Sequence, residues 1–419
     1  MRFRTALLLI TLGGVALRIV YVLATNDDFA AAGDARFYHE TANLLVDGKG
    51  FVSPFFSDRT IEAAEHPPLY SILLAVPSLI GFDTVLGHRV FSCLLGAGIV
   101  FLTGLVGRRV AGERAGLIAA GIAALYPNVW SPDTMLQAET ASTLATIAAV
   151  FLAYRYLDAP SIGRLTAVGA VAGLGALARS ELLLLAFVLV GGLVMLTKDV
   201  PNATRMKWVG AGLVTPLLLI APWSIYNATR FEHPILLSGQ IDPLLASANC
   251  ESVYYGPLQG YYDINCAAQI AAAEGIDESY DQSEEGVVYR REALEYIGDH
   301  LDRLPNVVGV RLLRIVGLYK PTLYVNMDSF IEGRDRWVSR TALYSFYLLA
   351  LLAVAGGVTL RKRRDVSVFP LLAPLAVVVV TVIVTYASTR FRAAAEPTLC
   401  VLAAAAVDAL FRRQPAERN

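Results

Sequence analysis

Charge is scarce in this sequence. Of its 419 residues 17% are Asp, Glu, Lys or Arg and 55% are hydrophobic, whereas ordinary soluble domains carry about a quarter charged residues. The 35 basic residues nearly cancel the 36 acidic ones, leaving a formal net charge of -1. With no basic tract either, the chain lacks the electrostatic footprint of a nucleic-acid binder. Four cysteines in a chain of this length exclude a small disulfide scaffold, and the apolar content excludes disorder. Several motifs are also missing. There is no G-x-x-x-x-G-K-[ST] phosphate loop, so ATP-driven transport within this chain is disfavoured. Cys-x-x-Cys, H-E-x-x-H and G-x-S-x-G are absent. The two halves show no repeated hydropathy pattern of the kind many secondary transporters have.

What is present is a series of long apolar runs, such as 182–196 and 371–385. A helix needs about 20 residues to cross about 30 Å of hydrocarbon. Spans fit 5–24, 85–107, 113–130, 136–156, 163–178, 181–198, 207–226, 339–360, 367–387 and 393–411. The first follows Arg2 and Arg4 and reads as a retained anchor, because further apolar segments follow it. The stretch 69–81 is short for a crossing and reads as a re-entrant or interfacial helix, with a tilted span as the rival. With the N-terminus inside, the basic groups at Arg108, Arg109 and Arg114, Arg155 and Arg164, Lys198, Arg205 and Lys207, Arg361–Arg364, and Arg412 and Arg413 all fall on the cytoplasmic side. The expectation is an all-α integral membrane protein of about ten crossings, multi-pass in the plasma or inner membrane.

Two long segments then lie outside, 25–67 and 227–338, the second with an acidic stretch at Glu274–Glu285. The organisation expected is a membrane module over 1–226, an extracytoplasmic segment over 227–338, and C-terminal spans over 339–419. Within 227–338, residues 287–301 read as an amphipathic helix. Residues 307–320 read as an interfacial helix with Arg311 and Arg314 toward phosphates, or as a short tilted crossing. Cys93 and Cys400 fall in spans as small apolar residues. Cys250 and Cys266 flank a Gly/Tyr-rich external loop, where an oxidising exterior would let them pair.

Ionisable residues at membrane level separate pores, carriers and enzymes. Asp34 follows the first span; it can accept a proton from a hydroxyl, or simply cap a helix starting near Ala35. Glu65 and His66 precede Pro67 and Pro68, at a sharp junction beside the membrane. They can orient a hydroxyl or phosphate, or Glu65 can help hold a divalent metal ion, although no spaced ligand set is visible. The bland alternative is a solvent-facing helix-entry turn. Glu139 starts the 136–156 helix, Arg179 and Glu181 share a very short turn, and Arg390 and Arg392 precede the last span. The arginines suit phosphate. Equally, Arg179 and Glu181 can merely neutralise each other, and Arg390 and Arg392 can be headgroup anchors. All of these groups fall at the external ends of spans.

The motifs GDARFY at 33–38, EHPPLY at 65–70, GLGALARSE at 173–181, PWSIYN at 222–227 and STRFRAAAEP at 388–397, with the linked helices of 104–127, follow one another in a recognisable order. With these motifs in that order the chain resembles the GT-C polytopic glycosyltransferases, in particular the bacterial protein-mannosyltransferase-like and aminoarabinose-transferase-like group. It departs from that pattern at Tyr226, where arginine is frequent, and at Ala393, where proline is frequent. The resemblance implies an inverting transfer of a sugar from a polyprenyl-phosphate donor to an extracytoplasmic glycan, glycolipid or protein hydroxyl. It implies Asp34 as the base, Glu65 and His66 as supporting catalytic groups, and Arg179, Arg390 and Arg392 as donor-phosphate contacts; Glu139 joins the expected substrate-binding residues by its place at an external span end. No cofactor is certain; a divalent ion at Glu65 is the one cofactor it leaves open. A lipid-linked-sugar flippase and a noncatalytic envelope-assembly protein are the competing readings.

Overall fold

The computed structural model describes residues 2–412 apart from 27, 28, 30, 57, 58, 199 and 364. Arg364 and Arg413, named above among the basic groups, lie outside the described residues. The membrane module runs α1 (Phe3–Ala24), α2 (Gly33–Val46), α3 (Leu69–Ser78), α4 (Val85–Ala111), α5 (Glu113–Leu125), α6 (Pro127–Thr134), α7 (Glu139–Asp158), α8 (Ile162–Ala176), α9 (Leu182–Leu196) and α10 (Asn202–Ala228). The polar segment holds α11 (Ile241–Ser247), α12 (Glu251–Tyr254), α13 (Ile264–Glu274), α14 (Gln282–Asp299), α15 (Leu304–Ile315) and α16 (Pro321–Ile331). The chain ends with α17 (Arg336–Arg363), α18 (Phe369–Val384), a 3-10 turn over Thr389–Ala395 and α19 (Glu396–Arg412).

Among the described residues, six helical segments are long and apolar enough to cross a membrane: α1, α4, α7, α10, α17 and Thr389–Arg412. The apolar helices α3, α8, α9 and α18 are shorter. The protein is an all-α multispanning membrane bundle. One expected span, 113–130, is not a single helix. Pro127 pushes the preceding Tyr126 into an extended conformation (ψ 118°), which ends α5 at Leu125 and starts α6.

Small residues bring the helices together, as they do where lipid supplies no hydrophobic drive between them. Ala119, Ala120, Ala123 and Ala124 of α5 and Ala403, Ala404 and Ala405 of α19 share one buried core with α1 and α4. A β-carbon at Gly169 of α8 would collide with the Gly212 carbonyl of α10, and one at Gly356 of α17 with the Leu402 carbonyl of α19. A charge is also buried in the bundle: Arg18 of α1 donates to Asp133 of α6 at 2.7 Å, with both side chains fully enclosed.

The two ends of the bundle differ in charge. At one end Arg109 pairs with Asp158, Arg114 with Asp408, Arg412 donates to the Ala111 carbonyl, and Arg108 lies over the Phe3 ring. Lipid-embedded proteins keep such groups on the cytoplasmic side. The polar segment and α2 sit at the opposite end. Both ends of α3 are bonded there: Leu69 N–H donates to the Leu177 carbonyl at 2.8 Å, and Ser78 bonds Asn43 and His88. At ten residues α3 is about 15 Å long, too short to cross.

The expected amphipathic helix is α14, started by a capping box between Asp281 and Glu284 and buried along Ser283, Gly286, Tyr289 and Ala293. The reading of 307–320 needs correction. Helix α15 has twelve residues, and its arginines do not reach toward headgroups. Arg311 is buried and donates to the Ile383 and Ala248 carbonyls, and Arg314 donates to the Gln259 carbonyl at 2.5 Å. Arg311 fastens the polar segment to the C-terminal ends of α11 and α18, where helix carbonyls lack intrahelical partners, and Arg314 fastens α15 to the turn at Gln259. Cys250 and Cys266 form a disulfide with a Cα–Cα distance of 6.4 Å, and Cys93 and Cys400 are free and buried.

Candidate active site

At the end of the bundle away from the basic turns, six segments that are remote in sequence deliver ionisable side chains to one place. Asp34 lies in the first turn of α2, after Gly33 at φ +50°. It does not cap that helix: the N-cap is Ala32 and no side chain caps it. The Asp34 carboxylate instead accepts from Arg390 Nη2 at 2.7 Å and faces His66 Nε2 at 3.5 Å. His66 is held there by the rings of Phe37 and Tyr38, with centroids 4.9 and 5.0 Å away. Burial raises the Asp34 carboxyl, but Arg390 and then His66 outweigh it and hold the group well below the usual carboxylate range. Its side chain remains 32% exposed, the most open of the cluster.

Glu139, at the start of α7, is the hub. Its Oε1 accepts from Arg179 Nη1 at 2.7 Å and Arg390 Nε at 2.6 Å, and its Oε2 from Arg390 Nη2 at 3.2 Å. With 1% of its side chain exposed it is closed off from solvent, and its two oxygens fix the aim of both arginines. The turn leading to it carries Leu136 at φ +55°, a conformation L side chains rarely adopt, with that side chain fully buried. Arg179 also donates to Glu181 at 2.6 Å and lies over the Phe391 ring. Neutralisation between Arg179 and Glu181 is therefore real but is only part of the arrangement.

Arg390 takes a further carboxylate that sequence reasoning missed. Glu332, between α16 and α17, accepts from Nη1 at 3.0 Å, and its other oxygen accepts from Gln137 Nε2 at 2.6 Å. Burial pushes the Glu332 carboxyl up to about 7, against the pull of Arg390. Nothing in the spacing around Glu332 marks it out from the other acidic residues of the polar segment.

Two expected residues stand apart. Arg392 is not brought into the cluster. It is buried, pairs with Glu396, donates to the Ile315 carbonyl at 2.6 Å and covers the Phe346 ring. The reason is local: a 3-10 turn has three residues per turn, so positions 390 and 392 point to different sides. Glu65 forms no ion pair among the described residues. Its carboxyl is raised by burial and by Asp34, against the pull of His66. Among the described residues no three His, Cys, Asp or Glu side chains gather into a metal-sized donor set. Asp34, Glu139 and Glu332 converge on the Arg390 guanidinium instead, so the residues present do not fit a divalent ion at Glu65.

The fold that carries this cluster has counterparts of known structure. Residues 65–226 match the family model described as dolichyl-phosphate-mannose-protein mannosyltransferase. The whole chain is similar to the oligosaccharyltransferase of Archaeoglobus fulgidus. The form with zinc and sulfate matches with a TM-score of 0.56 and 15% identity over 97% of this chain and 49% of that one. The form with an inhibitory peptide and a dolichol-phosphate gives 0.56 and 15% over 98% and 50%. The chain thus spans about half the length of those structures. A looser match is ArnT from Cupriavidus metallidurans bound to undecaprenyl phosphate, at 0.46 and 15% over 97% and 77%. No curated protein matches the sequence. The fold is that of the GT-C polytopic glycosyltransferases.

Proposed function

We propose that the chain is an inverting glycosyltransferase that moves a sugar from a polyprenyl phosphate to an extracytoplasmic hydroxyl of a glycan, glycolipid or protein. The observation that carries it is the 2.7 Å contact between Asp34, the most open carboxylate of the cluster, and Arg390, a phosphate-binding side-chain type, at one membrane face. Asp34 takes the proton as the acceptor oxygen attacks the anomeric carbon. The bond from that carbon to the phosphate oxygen breaks, and the phosphate leaves with the electron pair against Arg390 and Arg179. One displacement inverts the centre and needs no covalent sugar–enzyme intermediate. His66 positions Asp34, and Glu65 lies close enough to feel the charge of both. A dolichol-phosphate bound to the similar-fold oligosaccharyltransferase supports a lipid phosphate as the donor class.

The topology proposed is ten crossings with the site outside. Its support is the alternation of contacts: α7 begins at Glu139 in the cluster and ends at Asp158 among the basic turns, and the next segment returns to Arg179. Residues 1–226 then carry most of the site, 227–338 covers it and adds Glu332, and 339–419 brings Arg390.

The test is a reconstituted assay with labelled polyprenyl-phosphate sugars and a panel of acceptors, scored for covalent product and released polyprenyl phosphate. Asp34→Asn should lower turnover by about 10²–10⁴-fold while donor binding persists. Near-normal turnover removes Asp34 as the base. Movement of the lipid-linked sugar without cleavage means a carrier instead. Asp34 caps no helix, which removes the capping role that a noncatalytic reading would give it.

A further inference from the structure

Arg390 has five N–H donors, and they are nearly all in use. Glu139 takes the side edge, Nε and one Nη2 hydrogen. The remaining Nη2 hydrogen goes to Asp34 and one Nη1 hydrogen to Glu332. A guanidinium grips phosphate best through two parallel N–H bonds from one edge. The end edge, Nη1 with Nη2, is the one such a phosphate would need, and it is divided between Asp34 and Glu332. A bidentate phosphate cannot seat while both carboxylates stay.

The carboxylates differ in how firmly they are held. Glu139 is buried at a helix start and tied to Arg179 as well. Asp34 sits on α2 with a 2.7 Å bond. Glu332 lies in no helix, precedes Gly333 at φ +66°, and reaches Arg390 at 3.0 Å. The turn behind it is anchored: Arg334 and Ser339 both bond the buried Asp328, and Tyr21 donates to Asp335 at 2.9 Å. Displacement can then be confined to the Glu332 side chain and the Gly333 backbone, with Gln137 as a tether.

We propose that Glu332 is a placeholder on the end edge of Arg390, a positioning residue that keeps the guanidinium aimed while the seat is empty and yields it to the phosphate of a lipid-linked donor. This rests on the reading that Arg390 meets the donor phosphate. With its carboxyl pushed up to about 7, Glu332 is partly neutral near neutral pH, which lowers the cost of parting from Arg390. Seating the phosphate also loosens Asp34 from Nη2, so donor binding frees the base.

The experiment measures binding of sugar-free polyprenyl phosphate to the full chain in nanodiscs for wild type, Glu332→Gln and Arg390→Ala. Glu332→Gln should bind about three- to ten-fold more tightly, since a neutral amide competes less for the guanidinium, with a matching fall in donor KM. Arg390→Ala should lose binding at least about ten-fold. If Arg390→Ala weakens binding but Glu332→Gln binds as wild type or worse, the placeholder is overturned and the phosphate reading stands. If Arg390→Ala binds as wild type, both fall. Should Glu332→Gln not fold, Gln137→Leu, which cuts the tether, must also tighten binding; unchanged or weaker binding overturns the placeholder.

Discussion

Replacing Glu139 with Gln tests the core of the site because it changes charge and leaves volume almost untouched. The carboxylate accepts three hydrogen bonds from two guanidinium groups and is 1% exposed. In the amide, Oε1 can still accept from Arg179 and Arg390 Nε, whereas the NH2 meets Arg390 Nη2 donor against donor. Breaking a buried ion pair costs about 3–5 kcal/mol. Here Glu181, Asp34 and Glu332 still face the two arginines, which brings the expected loss to about 2–3 kcal/mol. If Arg390 loses its aim in the same measure, kcat/KM falls roughly 30- to 150-fold. Thermal unfolding in detergent and turnover of labelled donor read the two effects separately. Glu139→Asp separates charge from reach: it should keep most of the stability and still lose turnover, because a side chain one methylene shorter cannot bond both arginines. A Glu139→Gln protein that melts and turns over as wild type would refute the assignment of Glu139 as the hub.

Arg392→Leu should destabilise the protein by about 3–5 kcal/mol, since it strands the buried Glu396; a double replacement with Glu396→Leu should restore most of the loss, and donor KM should stay within about two-fold. A donor KM that rises in the double variant would return Arg392 to the phosphate site. Cys250→Ser opens a ring closed across a sequence separation of 16, and a loop of that size is worth about 3 kcal/mol. Limited proteolysis should then cut within 227–338 faster than in wild type, and wild type should migrate differently when reduced. Identical migration and cleavage would remove the disulfide.

Much of the bundle is legible from the chain alone. Spans are read from consecutive apolar residues, and the basic turns identify one face. The break at Tyr126 follows from Pro127. The short helices α8, α9 and α18 are legible as apolar segments, but where they stop depends on the turns they enter. Candidate residues Asp34, Glu139, Arg179 and Arg390 stand out as charges at span ends. Arg392 stands out equally and lies elsewhere, since neighbouring in sequence within a 3-10 turn is not neighbouring in space.

A multispanning helical protein with its basic turns on one face can be read straight from the chain, because hydropathy and charge placement are properties of short contiguous stretches. The tertiary structure decided which charges meet. Arg390 finds Asp34 across 356 residues, Glu139 across 251 and Glu332 across 58, and no local pattern encodes those distances. They arise when the packing of small residues brings the helix ends together, and the desolvated arginines there take the carboxylates within reach.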